Sequence, residues 1–282
     1  MTSQSKNNFR DKVAIVTGGA SGIGQALCEE LGRRGAVVIV ADIDGQKAQQ
    51  VASGITAQGG RAESADVDVS DAKQIGKLIE QTVSRHERLD YIFNNAAICV
   101  VGELRDLAPE HWRRMVDVNL LGVVYGTMAA YAVMVRQGSG HIVNVASLTG
   151  LMPTPVLTPY STTKWAVVGF STSLRREAAS LGVKVAVACP SLVRTNIPDR
   201  TLYLKVCKEE YLKRLPWRFM MEPIDTARAI LRGVARNQAI IVCPWHGRQV
   251  WWCQRHFPVL LEPLLRMTVR EWRRLRIETQ DS

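Results

Sequence analysis

The sequence predicts an α/β fold of the doubly wound Rossmann type, in which helices cover both faces of a parallel sheet of about seven strands. Three observations predict it. Short apolar runs rich in Val and Ile alternate with helical patterns, a glycine-rich turn follows the first run, and no repeat, low-complexity segment or linker divides the chain. Near-continuous apolar strands separated by helices are typical of a parallel sheet buried on both faces. We therefore expect a single domain.

Seven apolar runs are the predicted strands. They are VAIVT, AVVIVAD, RAESADV, DYIFNNA, HIVNVAS, VKVAVACP and AIIVCP, at 13–17, 36–42, 61–67, 90–96, 141–147, 183–190 and 239–244. A long connection, 191–221, leaves the carboxyl end of the sixth strand, which is the usual place for a substrate lid. We place the domain with its lid at 1–245 and a basic, Trp/Arg-rich extension at 246–282.

The composition is that of an ordinary globular protein. Hydrophobic residues make up 46% and charged residues 22% of the chain, which is enough for a core and far from disorder. No long apolar run and no secretory signal pattern occur, so we expect a cytoplasmic protein without a membrane-spanning helix. The six cysteines lack metal-ligand spacing. Free thiols are therefore favoured over disulfides, and no metal site is predicted.

A glycine-rich turn, TGGASGIG at 17–24, leaves the first predicted strand and enters a helix. Glycine lets the backbone approach a pyrophosphate closely, and the helix N-terminus supplies N–H donors and a positive dipole end. In this position the turn indicates a dinucleotide site rather than a purely structural turn. The residues that we expect to bind the cofactor here are Gly18, Ser21, Gly22, Ile23 and Gly24.

Asp42 ends the second strand, eighteen positions after Gly24. A carboxylate at this point accepts hydrogen bonds from the adenosine ribose hydroxyls and repels a 2′-phosphate. Neither Ile43 nor Ser21 offers a cation that would compensate this repulsion. The sequence therefore favours NAD over NADP.

A tyrosine and a lysine lie one helical turn apart in TPYSTTKWAV at 158–167. Helical spacing puts Tyr160 and Lys164 on one face. A free tyrosine has a pKa of about 10, roughly three units too high for a base at neutral pH. We expect Lys164 to favour the phenolate, and Ser147, at the end of the fifth strand, to donate a hydrogen bond to a substrate oxygen that gains charge during hydride transfer.

In this order the motifs resemble those of the short-chain dehydrogenase/reductase family, of the compact type with a T-G-x-x-x-G-x-G turn. The resemblance runs from about Lys12 to Pro244. It rests on Thr17-Gly18…Gly22…Gly24, Asp66, NNAA at 94–97, Asn119, Ser147, Tyr160…Lys164 and P-S-L-V-R-T at 190–195. The family has glycine where this chain has Ala97 and Ser191. The resemblance implies a nicotinamide-dependent oxidoreductase.

The resemblance also implies a role for each matching residue. Tyr160 would be the general acid/base, Ser147 the anchor of the substrate oxygen, and Lys164 the residue that binds the nicotinamide ribose and lowers the tyrosine pKa. Asn119 would hold a water that links the lysine to solvent. Further cofactor contacts would be Asp66 and Val67 at the adenine edge, Asn94 and Ala96 on the adenosine-ribose side, and Pro190, Val193 and Thr195 near the nicotinamide carboxamide. Taken singly, Asn119 and Ser147 could instead be caps of helical segments.

Apolar side chains surround the predicted catalytic residues, in LTGLMPTPVLTP at 148–159, in the lid and at 99–101. Such a lining desolvates a bulky apolar alcohol or ketone better than a sugar. We therefore expect an NAD(H)-dependent oxidoreductase that interconverts a hydrophobic secondary alcohol and its ketone or aldehyde. The alternatives are a catalytically silent NAD-binding regulatory or scaffold protein, and an NADP-using ketoreductase. These side chains could also face the core or a subunit interface.

The net charge of +10 is concentrated in the C-terminal extension, where 246–277 hold seven arginines and two glutamates. From Pro263 onward, helical projection separates an apolar arc from an arginine arc. The apolar arc can pack on the domain or on a partner subunit, which we favour slightly, or 259–277 can contact a membrane peripherally. The resemblance implies a homodimer or homotetramer. Nucleic acid is not expected, because the basic residues form no known binding module.

Overall fold

The computed structural model describes residues 8–195, 197–215 and 217–277. In chain order the elements are β1 (Val13–Thr17), α1 (Gly22–Arg33), β2 (Val37–Asp42), α2 (Gly45–Ala57), β3 (Arg61–Asp66), α3 (Ala72–His86), β4 (Tyr91–Asn94), β5 (Val100–Val101), α4 (Pro109–Val116), α5 (Gly122–Gln137), β6 (Gly140–Val145), α6 (Thr158–Ala178), β7 (Val183–Pro190), α7 (Ile197–Arg200), β8 (Leu202–Tyr203), α8 (Lys208–Lys213), α9 (Pro223–Ala235), β9 (Ile240–Cys243), α10 (Trp245–His256) and α11 (Glu262–Arg274). Seven of the strands form one sheet in the order β3-β2-β1-β4-β6-β7-β9, with every neighbouring pair parallel. The predicted fold class is confirmed.

The strand order reverses beside β1. The chain builds outward from β1 to β3, then returns to pair β4 with the other edge of β1 and builds outward again to β9. Doubly wound sheets bind ligands at the carboxyl ends of the strands beside such a reversal. Thr17 and Asp42 end β1 and β2, and Ser147 follows β6 by two residues. The topology therefore places these three residues along one edge of the sheet.

Apolar helix faces cover both sides of the sheet. On one side α1, α2 and α9 bury Leu27, Ile55 and Ile230. On the other side α3 and α6 bury Ile79 and Leu174. Because both faces are covered, all five residues of β1 are buried, which explains why this strand reads as a continuous apolar run.

One helical stretch among the described residues, Pro109–Gln137, has the length and the apolar composition of a membrane-spanning helix, although the sequence predicts none. It comprises α4, a π-helical turn at Asp117–Leu121, and α5. Within the fold it buries Met115, Asn119 and Met134 and covers one side of the sheet. Its apolar composition therefore has a structural use inside the domain.

The predicted lid is a group of short elements, α7, β8, α8 and a 3₁₀ turn at Trp217–Phe219. Strand β8 pairs in parallel with β5, so the lid is tied to the chain that follows β4. The extension turns back on the domain: α10 contacts β9, and α11 buries Trp272 against Val101 and Val206. Residues 1–7, 196, 216 and 278–282 of the predicted domain, lid and extension lie outside the described residues.

Candidate active site

The glycine turn forms one end of a cleft at the carboxyl edge of the sheet. Gly18 has a φ of +64°, and a Cβ there would lie 2.8 Å from the Cα of Ala96. A Cβ on Gly24 would lie 2.0 Å from the carbonyl oxygen of Gly18, so only glycine fits at either position. The Oγ1 of Thr17 accepts hydrogen bonds from the N–H groups of Asn95 (3.0 Å) and Ala96 (3.2 Å), which ties the turn to the loop after β4. Of the predicted residues of the turn, those that line the cleft are Gly18, Ser21, Gly22 and Ile23.

Asp42 lies at the same end of the cleft and is 6% exposed. Its Oδ2 accepts a hydrogen bond from the N–H of Ala20, and its Oδ1 accepts one from the N–H of Asp44, both at 3.0 Å. Each carboxylate oxygen has a second lone pair, so both can still accept from ribose hydroxyls. The carboxylate thus holds the glycine turn in place and faces the position predicted for the ribose.

The lid brings a cation to this end of the cleft. Arg200, the last residue of α7, lines the cleft together with Asp42. Hydrogen bonds from Lys47, and more weakly the charge of Arg200, hold the pKa of the Asp44 carboxyl below its usual value. No local pattern links Arg200 to Asp42, because the two meet only when the lid folds over the sheet.

Asp66 and Val67 differ in their placement. Asp66 is exposed and does not line the cleft. Its side chain lies against the start of α2, where a Cβ built on Gly45 would be 2.9 Å from the Cβ of Asp66. Val67 and Asp68 do line the cleft. The structure therefore places Asp68, and not the predicted Asp66, in the cleft wall beside Val67.

Asn94, predicted to contact the cofactor, does not line the cleft. Its side chain is 2% exposed, and its Nδ2 donates to the Oδ1 of Asn144 at 2.9 Å beneath α5. Successive side chains of a strand point to opposite faces, so the next residue, Asn95, lines the cleft instead. Its Nδ2 donates to the carbonyl oxygen of Thr17 at 3.0 Å. Ala96 also lines the cleft, and its contact with the cofactor stays a prediction.

Tyr160 and Lys164 share one face of α6 at the middle of the cleft. Pro159 occupies the first turn of this helix. Tyr160 is half-buried in the cleft wall, whereas Lys164 is 1% exposed. The Nζ of Lys164 donates to the carbonyl oxygen of Val145 at 2.9 Å and lies 5.5 Å from the centre of the Tyr160 ring. The spacing in the sequence therefore brings the two groups together.

Burial determines the protonation of both groups. It raises the pKa of Tyr160, with a smaller contribution from Cys99 in the same direction and an opposing one from a hydrogen bond with Ser147. It also lowers the pKa of Lys164 to about 8. In the protein alone the tyrosine pKa is therefore raised by desolvation, not lowered as the sequence predicts. The site holds a neutral phenol beside an ammonium that is still mostly charged at pH 7.

Ser147 and Asn119 approach the cleft from two further segments. The Oγ of Ser147 lines the cleft, donates to the carbonyl oxygen of Pro190 at 3.5 Å and accepts from the N–H of Thr149 at 3.3 Å. Asn119 is fully buried in the π-helical turn, a feature often found at functional sites. Its Oδ1 accepts from the N–H of Ile98 at 2.8 Å, and its Nδ2 donates to the carbonyl oxygen of Ile98 at 2.9 Å. Its amide therefore positions the loop after β4, and its bound water stays a prediction.

The end of β7 and the segment that follows it form a further wall of the cleft. Pro190, Val193 and Thr195 line it, and a Cβ on Gly22 would lie 3.2 Å from the Cγ2 of Thr195. Their contact with the carboxamide stays a prediction. This segment therefore lies close over the start of α1. Ala97 and Ser191, where the family has glycine, also line the cleft.

Beyond Tyr160 the cleft opens into an apolar compartment that α11 covers as a roof. The whole cleft has a volume of about 1720 Å³, which accommodates a dinucleotide and a second molecule. Trp272 is 2% exposed and meets Tyr211 edge-on with ring centres 5.4 Å apart. The large apolar side chains that line this compartment are Met152, Val156, Leu157, Tyr203, Tyr211, Leu215, Met220, Leu264, Met267, Trp272 and Leu275.

Ion pairs fasten the roof to the chain after β5. Two guanidinium nitrogens of Arg276 donate to the two carboxylate oxygens of Asp106 at 2.6 and 2.7 Å, and the Nε of Arg273 donates to Glu103 at 2.8 Å. Hydrogen bonds from Arg276 hold the pKa of the Asp106 carboxyl below its usual value. The sequence predicts the amphipathic helix, but its place in the site depends on these long-range contacts.

Comparison with known proteins identifies the class. The model of the short chain dehydrogenase family matches residues 12–202, so the chain belongs to this family. It is 36% identical over 232 residues to an uncharacterized oxidoreductase of Staphylococcus aureus, covering 82% of this chain and 94% of that protein. It is 38% identical over 194 residues to the probable oxidoreductase EphD of Mycobacterium tuberculosis, covering 68% of this chain and 33% of that protein.

A solved structure gives the same result. The chain is similar, with a TM-score of 0.81 and 25% identity, to a short chain dehydrogenase/reductase from Burkholderia phymatum in complex with NAD. The similarity covers 89% of this chain and 95% of that one. The predicted family is confirmed, and the protein is an oxidoreductase of the short-chain dehydrogenase/reductase family.

Proposed function

We propose that the protein is an NAD(H)-dependent dehydrogenase that interconverts a hydrophobic secondary alcohol and its ketone. The observation that carries this proposal is the junction at Tyr160. On one side of the phenol the cleft leads to the glycine turn and Asp42, and on the other it leads to the apolar compartment under α11. Ser147 and Lys164 lie beside the phenol at this junction.

The residues at the junction transfer the hydroxyl proton of the alcohol and stabilise the charges that form. NAD, when bound, supplies the hydride acceptor and a positive charge near the phenol. In its phenolate form the Oη of Tyr160 accepts the hydroxyl proton during oxidation, and in its phenol form it gives that proton to the ketone oxygen during reduction. The Oγ of Ser147 donates a hydrogen bond to the reacting oxygen, and the ammonium of Lys164 stabilises the phenolate once the phenol is ionised. The apolar walls exclude water, which strengthens each of these interactions.

The preference for NAD rests on Asp42, whose carboxylate would repel the 2′-phosphate of NADP. Arg200 favours the second candidate, an NADP-using ketoreductase, because this cation lines the same end of the cleft. We assign NAD because Asp42 is fixed by two backbone hydrogen bonds, whereas Arg200 is carried by the lid.

The test is a panel of secondary alcohols with NAD or NADP, read by the absorbance of the reduced cofactor. We expect NADH from bulky apolar alcohols. Tyr160→Phe should lower turnover by about 10²- to 10⁴-fold, because proton transfer is lost, while calorimetry shows unchanged NAD binding. Tyr131→Phe is the matched control, since this phenol lies on α5 outside the cleft.

Two results would contradict the proposal. Turnover by Tyr160→Phe at the wild-type rate would remove the tyrosine from the chemistry. NAD binding without reduction of either cofactor across the panel would favour the catalytically silent scaffold.

We also propose that the protein is cytoplasmic and forms a homodimer or homotetramer. Six free thiols support a reduced compartment. Met128 and Trp165 are exposed on the outer faces of α5 and α6, which pack on the sheet with their other faces, and this supports a subunit contact there. Light scattering of the purified chain measures the assembly, and a monomer at all concentrations would contradict it.

A further inference from the structure

The C-terminal extension exposes large apolar side chains where it turns back over the apolar compartment. Seventeen large hydrophobic side chains are exposed among the described residues, and eight of them lie in 245–277, so the exposure is concentrated in this segment. Every residue of 255–260 is exposed. Phe257, Val259 and Leu260 are 51%, 79% and 68% exposed, and Trp252 packs on Phe257 with ring centres 5.6 Å apart.

This apolar surface continues into the compartment. His246 and Val250 of α10 line the cleft, and Leu264 and Met267 of α11 line it from the other side. Leu264 and Met267 are each 54% exposed as well, so they lie where the compartment opens to the outside. The mouth therefore lies between α10 and α11, and the exposed turn borders it.

Three arginines lie on the same two helices as this surface. Arg248, Arg255 and Arg270 are exposed, and none of them has a carboxylate within salt-bridge distance among the described residues. An apolar surface edged by unpaired arginines matches the boundary between the headgroups and acyl chains of an anionic bilayer. A two-fold contact with a second copy would instead place the same arginines against each other.

We propose that this docking surface, formed by Trp252, Phe257, Val259, Leu260, Leu264 and Met267, lies on an anionic lipid bilayer, and that the substrate enters the compartment from the lipid phase. An apolar alcohol or ketone concentrates in the bilayer, so a mouth at headgroup level gives it a path that avoids water. The route of the substrate rests on the proposed function, whereas docking on lipid does not.

The experiment is co-sedimentation of the full chain with vesicles of phosphatidylcholine, with and without phosphatidylglycerol. The double variant Val259→Glu/Leu260→Glu places two carboxylates in the docking surface without changing a residue that lines the cleft. Leu181→Glu is the matched control, because this exposed leucine precedes β7 at the opposite, amino edge of the sheet.

We expect wild type and Leu181→Glu to sediment with the phosphatidylglycerol vesicles, and the double variant to bind at least about tenfold more weakly. Added salt should weaken wild-type binding, because the arginine contribution is screened. With an apolar alcohol supplied in vesicles, the double variant should turn over more slowly than wild type. With a water-soluble alcohol the two should be equal.

Several outcomes overturn the docking proposal. One is the absence of wild-type sedimentation with anionic vesicles, and another is equal sedimentation of wild type and the double variant. A double variant that changes the oligomeric state and keeps vesicle binding would assign this surface to a subunit contact. Vesicle binding that the double variant loses, in a protein that reduces neither cofactor, would keep the docking surface and reject the proposed function.

Discussion

The sheet edge at the cofactor end and the roof over the apolar compartment are held by different kinds of contact. At the edge, glycines and backbone hydrogen bonds fix the positions, as where Thr17 accepts from the N–H groups of Asn95 and Ala96. In the roof, one buried side chain, Trp272, and a few ion pairs hold α11. The family match covers 12–202 and ends before the roof. We infer that the shared edge supports the reaction and that the roof selects the substrate.

The largest expected effect tests the edge. Lys164→Met keeps the length of the side chain and removes its charge. Burial already raises the pKa of the Tyr160 phenol, and the variant also removes the cation nearest to its phenolate form. We expect turnover to fall by about 10²- to 10⁴-fold with every alcohol, since proton transfer fails whatever the substrate. Lys184→Met, at an exposed position of β7, should have no such effect. An equal loss in both variants would contradict the assigned role.

The buried lysine also predicts that the free energy of unfolding depends on pH, and Lys164→Met tests this prediction. Burial lowers the pKa of Lys164 to about 8, whereas an unfolded lysine has a pKa of about 10.4. The unfolded chain thus binds the proton more tightly, and stability rises as the pH increases from about 8 to 10.4, by on the order of 3 kcal/mol. Lys164→Met lacks this contribution. Urea titrations at both ends of this pH range should show that the free energy of unfolding rises more for wild type than for the variant. An equal change in both proteins would contradict the lowered pKa of Lys164.

A smaller effect tests the roof. Trp272→Ala removes the ring that meets Tyr211 and loosens α11 over the compartment. We expect kcat/KM for a bulky apolar alcohol to fall by about tenfold or more, while NAD affinity and kcat/KM for a small alcohol change little. Trp272→Phe should recover much of the loss, because an aromatic contact with Tyr211 remains. A uniform loss for both alcohols would show that Trp272 supports the whole fold instead of the compartment.

The sequence predicts most of the edge because local patterns encode it. Predicted strand 141–147 and observed β6 (Gly140–Val145) differ by one or two residues, and the four-residue spacing of Tyr160 and Lys164 survives in α6. At the edge, the residues predicted to contact the cofactor and the residues that line the cleft differ by only one or two positions in the sequence. Asn94 and Asn95 are neighbours, but the alternation of side chains sends one into the core and the other into the cleft.

The roof shows what local patterns do not encode. The arc that contains Trp272 predicts an amphipathic helix, but the same pattern fits a membrane, a partner subunit or the parent domain. Packing on the domain is decided by Arg276 and Asp106, which lie far apart in the chain and meet only in the folded protein. Strands β5 and β8, each two residues long, are also too short to give a periodic signal.

The most direct test of the central claim is to follow one hydrogen atom. The purified protein is given NAD and a bulky apolar secondary alcohol that carries deuterium on its carbinol carbon, and the reduced cofactor is analysed by mass spectrometry. We expect one deuterium in NADH made by wild type, and reduced cofactor formed about 10²- to 10⁴-fold more slowly by Tyr160→Phe, because hydride transfer at this site depends on the group that takes the hydroxyl proton. Unlabelled NADH from wild type, or labelled NADH from Tyr160→Phe at the wild-type rate, would contradict the account.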